Sequence, residues 1–200
     1  MEDFINARVA RPFACMAEIE QQALAEKVPI VSPATGSVLS WIARSIRPAR
    51  ILELGCGPGY SLLWMLSALD QVRVVTIDRN PLLLQQAREN LQKIDQGQRE
   101  VELRQDMVME FLHANINSLN DFDFIFVDCD KILYPEILLL LLKKYQNSFV
   151  FDNTLWHGRI LDENNMLPSD NAVREFWSRL QQSNRQWTLF PVGDGLLFAQ

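Results

Sequence analysis

The stretch Ile51–Ser61 reads ILELGCGPGYS. An apolar run (Ile51, Leu52, Leu54) carries one acid, Glu53, and then gives way to glycines at every second position, Gly55, Gly57 and Gly59. Apolar residues bounded by glycines predict a buried strand and a tight turn. Ser61-Leu62-Leu63-Trp64-Met65-Leu66 then opens a helix. Strand, glycine loop and helix make a cradle for a polar or anionic cofactor, because glycine lets the backbone approach the ligand closely. The dinucleotide pattern G-x-G-x-x-G is not met, since its last glycine falls on Tyr60.

Upstream of this stretch, Phe13–Lys27 predicts a helix stopped by Pro29. Ser32 caps a second helix, with Pro33 in its first turn and Val38, Leu39, Ile42 and Ile46 on one face. Downstream, Val72–Ile77 is a strand ending at Asp78, and Asn80-Pro81 starts a helix bearing Leu84, Ala87, Leu91 and Ile94. Val101–Arg104 is a third strand, and a short helix follows around Glu110–His113. Phe122–Val127 is almost wholly apolar, as a parallel strand buried on both faces requires. A helix over Tyr134–Tyr145, a strand over Phe149–Phe151 and a helix over Val173–Leu180 come next, the last after a polar loop from Asp162 to Asp170. Trp187–Val192 and Leu196–Ala199 are the final strands. Only Gly193-Asp194-Gly195 separates them, so they pair antiparallel. The pattern predicts an α/β three-layer sandwich on a seven-stranded, mostly parallel sheet with one antiparallel strand. It is read as one domain over residues 1–200.

Two hundred residues, 48% of them hydrophobic, suffice for one full core. A net charge of -6 with scattered basic residues predicts no electrostatic partner of the nucleic-acid or anionic-membrane kind. The longest apolar run, Ile137–Leu142, is too short to span a bilayer. The amino-terminal MEDFINARVARPF lacks an apolar signal region, which predicts a cytoplasmic protein. Cys15, Cys56 and Cys129 are well separated and predict neither disulfides nor a zinc site.

Acids collect at the predicted strand ends: Glu53, Asp78, Asp128 and Asp152, with Asp106 near a fifth. Crowded carboxylates repel, so a shared polar ligand or a metal accounts for them. Asp78 stands 19 positions after Gly59, where a carboxylate accepts hydrogen bonds from two ribose hydroxyls; the alternative is a cap for the helix at Pro81. Asp106 meets the adenine side or caps the next helix. Asp128, Asp152 and Asn153 end two neighbouring strands. Two carboxylates and an amide oxygen make a hard, all-oxygen site suited to Mg²⁺, with Mn²⁺ or Ca²⁺ as substitutes. The competing reading is an ion pair from Lys131 to Asp128 or Asp130. His113 and His157 read as loop histidines, His157 near enough to this site to touch a substrate. Tyr134 and Arg159 either reach the same mouth or serve packing and a surface ion pair. Cys56 and Cys129 read as small packing residues.

Six ordered motifs, VPIVSPATG, ILELGCGPGYS, TIDRNP, FDFIFVDCDK, FVFDNTLWHGRI and PVGDGL, make the chain resemble the cation-dependent O-methyltransferases. That family includes catechol and caffeoyl-CoA O-methyltransferases and their bacterial relatives. The resemblance runs from Val28 to the carboxyl terminus. It implies a Rossmann-like class I methyltransferase sandwich that uses S-adenosylmethionine (SAM) and a divalent cation. Asp128, Asp152 and Asn153 would hold the cation, and Lys131 would be the general base beside Asp128. Val31, Glu53, Gly55, Gly57, Ser61, Asp78, Asp106, Met107 and Asp128 would bind SAM. The helices within residues 1–47 would cover the site. The acceptor would be a small phenol with two adjacent hydroxyls, and the protein a homodimer. The chain departs from the family in a short amino-terminal part, in Gln146-Asn147-Ser148 where a glycine pair is usual, and in Asp130 where the animal catechol enzyme has an aromatic residue. Two rival readings stand: a SAM-binding dimeric module whose chemistry has lapsed, and a nicotinamide dehydrogenase, which needs glycine at Tyr60.

Overall fold

Seven strands form one sheet in the computed structural model, which describes residues 2–200. They are β1 (Arg50–Leu54), β2 (Gln71–Asp78), β3 (Gln98–Gln105), β4 (Phe124–Val127), β5 (Ser148–Phe151), β6 (Trp187–Phe190) and β7 (Leu196–Ala199). Their spatial order is β3-β2-β1-β4-β5-β7-β6. The first five run parallel, and β7 lies antiparallel to both β5 and β6. β7 is the single reversed strand, and the short link Pro191–Gly195 accounts for its antiparallel pairing with β6. The helices are α1 (Glu2–Asn6), α2 (Met16–Glu26), α3 (Pro33–Ile46), α4 (Tyr60–Leu66), α5 (Pro81–Gln92), α6 (Val108–Ala114), α7 (Tyr134–Lys144) and α8 (Pro168–Gln181).

Side chains alternate across each strand, so both faces of the central strands must be apolar. Leu52, Leu54, Ile125 and Val127 pack with α6, α7 and α8 on one face. Ile51, Phe124, Phe126 and Val150 pack with α2, α3 and α4 on the other. The helix starts follow their caps: Ser32 accepts from the Thr35 amide at 3.1 Å, and Asn80 from that of Leu82 at 3.0 Å. Several boundaries differ from the sequence pattern: β4 begins at Phe124 rather than Phe122, and β6 ends at Phe190 rather than Val192. β3 spans Gln98–Gln105 rather than Val101–Arg104, because its outer residues pair with β2 while facing solvent and need not be apolar. α2 begins at Met16, not Phe13, and α8 begins five residues before Val173 through a polar first turn. No helix among the described residues is long and apolar enough to cross a membrane.

The chain leaves β1 toward β2 on one side and returns at β4 on the other. The crevice beyond the carboxyl ends of β1 and β4 is therefore the topological switch point, where open α/β sheets bind ligands. Backbone bonding continues just past the strands. The Gly55 amide reaches Ile77 O at 2.9 Å, Asp128 reaches Leu54 O at 2.8 Å, and Asp152 reaches Val127 O at 3.0 Å. Gly55, Asp128 and Asp152 thus stand in a row along the sheet's upper edge.

Candidate active site

A cavity of about 730 Å³ opens over that edge, a size suited to small ligands. Val31, Gly57, Asp78, Met107, Asp128 and Asp152 each contribute to its wall. Gly55 is left-handed, with φ +99°, and a Cβ there would collide with the carbonyl of Asp128. Gly57, at φ +52°, has open space where its side chain would be, so a ligand can approach the bare backbone.

Asp78 builds the loop rather than merely facing it. One carboxylate oxygen accepts the amides of Cys56 and Gly57 at 3.1 and 2.9 Å, and the other that of Asn80 at 2.8 Å. The cap of α5 is Asn80, not Asp78. Asp106 accepts from the Met107 amide at 2.9 Å and from Arg104 Nε at 3.2 Å. Both acids and Met107 line the cavity, as do Ser61 and Gly55.

Glu53 is different. It lies inside β1 opposite Thr76 and Phe126, one residue short of the tip, and it does not line the cavity. Fully buried behind the glycine loop, it accepts Ser61 Oγ at 2.7 Å and Thr76 Oγ1 at 2.6 Å. Burial pushes its carboxyl up to about 8; the two hydroxyls hold it down, while Asp128 and Asp78 add to the rise. The acids that line the cavity are therefore Asp78, Asp106, Asp128, Asp130 and Asp152.

The competing ion pair is present. Lys131 Nζ donates to Asp128 Oδ1 at 2.7 Å, to Tyr134 Oη at 2.8 Å and to the Cys129 carbonyl at 3.3 Å. An ammonium has three donors, and all three are engaged. Tyr134 is fully buried and donates to the Asp152 carbonyl at 2.8 Å, tying the ends of β4 and β5 together. The sequence left Tyr134 undecided; its signal is the three-residue spacing from Lys131, which stacks the two side chains on one helical turn. Asp152 takes no share of the lysine. It is buried, and its Oδ1 has no hydrogen-bond partner. Burial, and then the charge of Asp128, drive its carboxyl well above the usual range. Asn153 follows in a left-handed conformation, φ 54°, and lines the same cavity. No group of three His, Cys, Asp or Glu able to hold a metal occurs among the described residues. A divalent ion here would rest on two carboxylates and the Asn153 amide oxygen. The orphaned oxygen of Asp152 beside a second carboxylate is the donor chemistry that such an ion satisfies.

Trp156 and His157 line the cavity and, with Gly158, make three consecutive left-handed residues at φ 49°, 54° and 69°. Such a run is strained and persists only where neighbours enforce it. Asp194, from the β6–β7 turn, accepts the His157 amide. Trp156 Nε1 donates to Asp170 at 3.0 Å, and Arg159 grips the same carboxylate through two bonds of 2.8 Å. Arg159 is thus part of a clasp. His113 lies elsewhere, 3.8 Å from Glu136 on the surface. Burial pushes the Cys129 thiol up to about 12 and that of Cys56 well above its ordinary value, so both remain thiols.

The family model for O-methyltransferases matches residues 9–200. A catechol O-methyltransferase of Niastella koreensis is 32% identical over 150 residues, covering 73% of this chain and 67% of that protein. A caffeoyl-CoA O-methyltransferase of Stellaria longipes is 27% identical over 182 residues, covering 84% of this chain and 75% of that one. The solved O-methyltransferase of Bacillus cereus, in complex with SAH, superposes with a TM-score of 0.85 at 25% identity, covering 99% of this chain and 95% of that one. A glycine cradle at the switch point, this degree of likeness and a match over nearly the whole length lead to one conclusion: the chain belongs to the O-methyltransferase family of SAM-dependent enzymes.

Proposed function

We propose that this enzyme methylates one hydroxyl of a small vicinal dihydroxy aromatic, with a divalent cation, Mg²⁺ or in its place Mn²⁺ or Ca²⁺, held by Asp128, Asp152 and Asn153. The observation that carries this reading is the buried, unpartnered Oδ1 of Asp152 at the cavity wall. Leaving such an oxygen bare is costly, and a cation relieves the cost. When bound, the cation favours the ionised form of the acceptor hydroxyl, and SAM supplies an already activated methyl group.

The chain's own residues do the rest. The bare backbone at Gly57, together with Val31, Ser61, Asp78, Asp106 and Met107, walls the place for SAM. Glu53 supports that wall from behind through Ser61. Lys131 acts first as a positive charge. Its three N–H groups are engaged, so as an ammonium its charge steadies a developing phenolate, and to serve as the general base it must first give up one of these protons. Holding both reactants in line supplies several kcal/mol, on the order of 7 in favourable cases. In this reading the chain 1–200 is one cytoplasmic methyltransferase domain whose first 47 residues close the cavity through Val28–Val31. Exposed Trp41, packed edge-on against Phe190 at 6.4 Å, supports a homodimer surface.

Methyl transfer from labelled SAM to a panel of catechols and hydroxycinnamates, with Mg²⁺ and with EDTA, tests the reading. Turnover is expected with Mg²⁺ alone. Asp152→Asn is expected to lose about 100-fold in rate while SAM still raises the melting midpoint. Undiminished turnover in EDTA would remove the cation from the account. The Lys131–Asp128 ion pair favours a second reading, a SAM-binding module without turnover; there SAM stabilises the fold and no acceptor is methylated. A nicotinamide dehydrogenase is set aside by the family match.

A further inference from the structure

Of the three donors assigned to the cation, Asn153 sits in the least secure backbone. It is left-handed at φ 54°, and Trp156, His157 and Gly158 follow in the same conformation. Such backbone persists only where neighbours enforce it. The neighbour is the turn Val192–Gly195 between β6 and β7. The amides of Thr154 and Leu155 donate to the carbonyls of Gly195 and Asp194 at 3.0 and 2.9 Å, and the Thr154 hydroxyl donates to the Gly195 carbonyl at 3.0 Å. The His157 amide donates to Asp194 Oδ1. The amide of Trp156 closes back on the Asn153 carbonyl at 3.2 Å. Trp177 of α8 holds the segment from its other side, through the Thr154 carbonyl at 2.7 Å. The turn itself has no room to drift. Gly195 is left-handed at φ +86°, and a Cβ there would collide with Leu155; Gly193, at φ +55°, lies as tightly against Thr35 in the first turn of α3. Among the turn's bonds to the segment, one is made by a side chain, that of Asp194.

We propose that Asp194 is a positioning residue for the cation: by holding the His157 amide it keeps the segment after β5 closed, so that Asn153 has its ligating conformation before the cation arrives. The inference rests on the cation reading above. Asp194 does not line the cavity and is no ligand itself. Its Oδ2 makes no hydrogen bond, and Oδ1 carries the role. Asp128 is fixed by Lys131, and Asp152 is buried. Asn153 is half-buried, so its backbone conformation decides where the amide oxygen lies. Ordering a loop on binding takes conformational entropy, which weakens affinity. A segment already ordered by the turn avoids that loss. Groups that orient a metal ligand from behind are commonly worth about 10- to 100-fold in metal affinity.

Mn²⁺ binding, read from the electron paramagnetic resonance of the free ion, is compared in the unaltered protein, Asp194→Ala and Asp194→Asn, with SAH affinity measured in EDTA on the same samples. Asp194→Ala is expected to bind Mn²⁺ about 10- to 100-fold more weakly and SAH within about twofold of the unaltered protein. Asp194→Asn keeps an oxygen that accepts the His157 amide, and is expected to bind Mn²⁺ within about threefold. Undiminished Mn²⁺ binding in Asp194→Ala overturns the proposal. An equal loss in both variants also overturns it, because the charge of Asp194 then acts rather than its hydrogen bond. A parallel loss of SAH binding does the same, since it marks general loosening. Amide hydrogen exchange in the unaltered protein gives a reading that needs no variant. The His157 amide is expected to be protected to a similar degree with and without Mn²⁺. An amide that exchanges freely until Mn²⁺ is added shows that the cation orders the loop, and the proposal falls. If the unaltered protein takes up no divalent ion, the cation reading itself has failed and this inference with it. If it binds Mn²⁺ and Asp194→Ala binds it equally well, only the role of Asp194 has failed.

Discussion

At the scale of single residues, Glu53 is the side chain whose chemistry the strand pattern misplaces most. It shares the acidic character of the rim, yet it is sealed beneath the glycine loop. Its carboxyl is raised from an ordinary 4.5 to about 8, chiefly by burial. Between those pH values the unfolded chain has released this proton and the folded chain keeps it. Stability must therefore fall as pH rises through that window. Glu53→Gln keeps the shape, and rotation of the Ser61 and Thr76 hydroxyls preserves both hydrogen bonds. The variant is expected to match the parent near pH 5 and to exceed it near pH 8 by on the order of 3 kcal/mol. Urea titrations at the two pH values check this, and a variant no more stable at pH 8 would show that the carboxylate is ionised and accommodated. Asp128, Asp152, Asn153 and Lys131 were legible because strand order converts their spacing into adjacency. Glu53 was not, because one residue of register separates a tip from a core position. Asp194 was not, because its partner His157 lies 37 residues away and meets it only through the β5–β7 pairing.

Among the elements, the segment between β5 and α8 is the one that sequence describes least. Asp162–Asp170 looks like a plain polar loop. In the fold its last residue is buried in the first turn of α8 and gathers four donors: Arg159 twice, Trp156 Nε1 and the Leu167 amide. Arg159, followed by smaller contributions, holds the Asp170 carboxyl down to about 2. Its folded value is thus depressed, and the clasp contributes above the ordinary aspartate range and is lost only as pH falls toward 2. Neutral or mildly acidic conditions leave it closed. Asp170→Ala removes the acceptor from all four donors at once. The expected result is cleavage by trypsin at Arg159 in the variant under conditions where the parent resists, with melting lowered and the cooperative transition retained. Equal resistance of the two proteins would mean that the loop is held by other contacts. The starts of capped elements such as α3 and α5 were legible to the residue, since Ser32-Pro33 and Asn80-Pro81 act locally. A clasp built from one charge on each of two elements leaves no local periodic signal.

On the scale of the whole molecule, the question is whether the amino-terminal helices are a cover or part of the frame. The cavity wall includes Val28–Val31, which makes them look like a cover. Their packing argues for the frame. Met16 and Ile19 of α2 are 0% and 1% exposed and join the same core as Leu62, Met65 and Val74. Glu20 of α2 takes the hydroxyl of Tyr60 and both arms of Arg11, so the helix is also bolted to the start of α4. Truncating a buried isoleucine to alanine costs roughly 2–5 kcal/mol, against a total stability of roughly 5–15 kcal/mol for a domain. Ile19→Ala should therefore lower the melting midpoint markedly without touching the cavity lining. Removing residues 2–27 should abolish the cooperative melt altogether. A detachable cover behaves otherwise: the truncated chain would still melt cooperatively and would lose only its response to SAM or SAH. Circular dichroism melts of the two variants, with and without SAH, separate these cases. The frame requires that cofactor binding and folding fail together, because the residues that close the cavity hang from a helix that the core cannot do without.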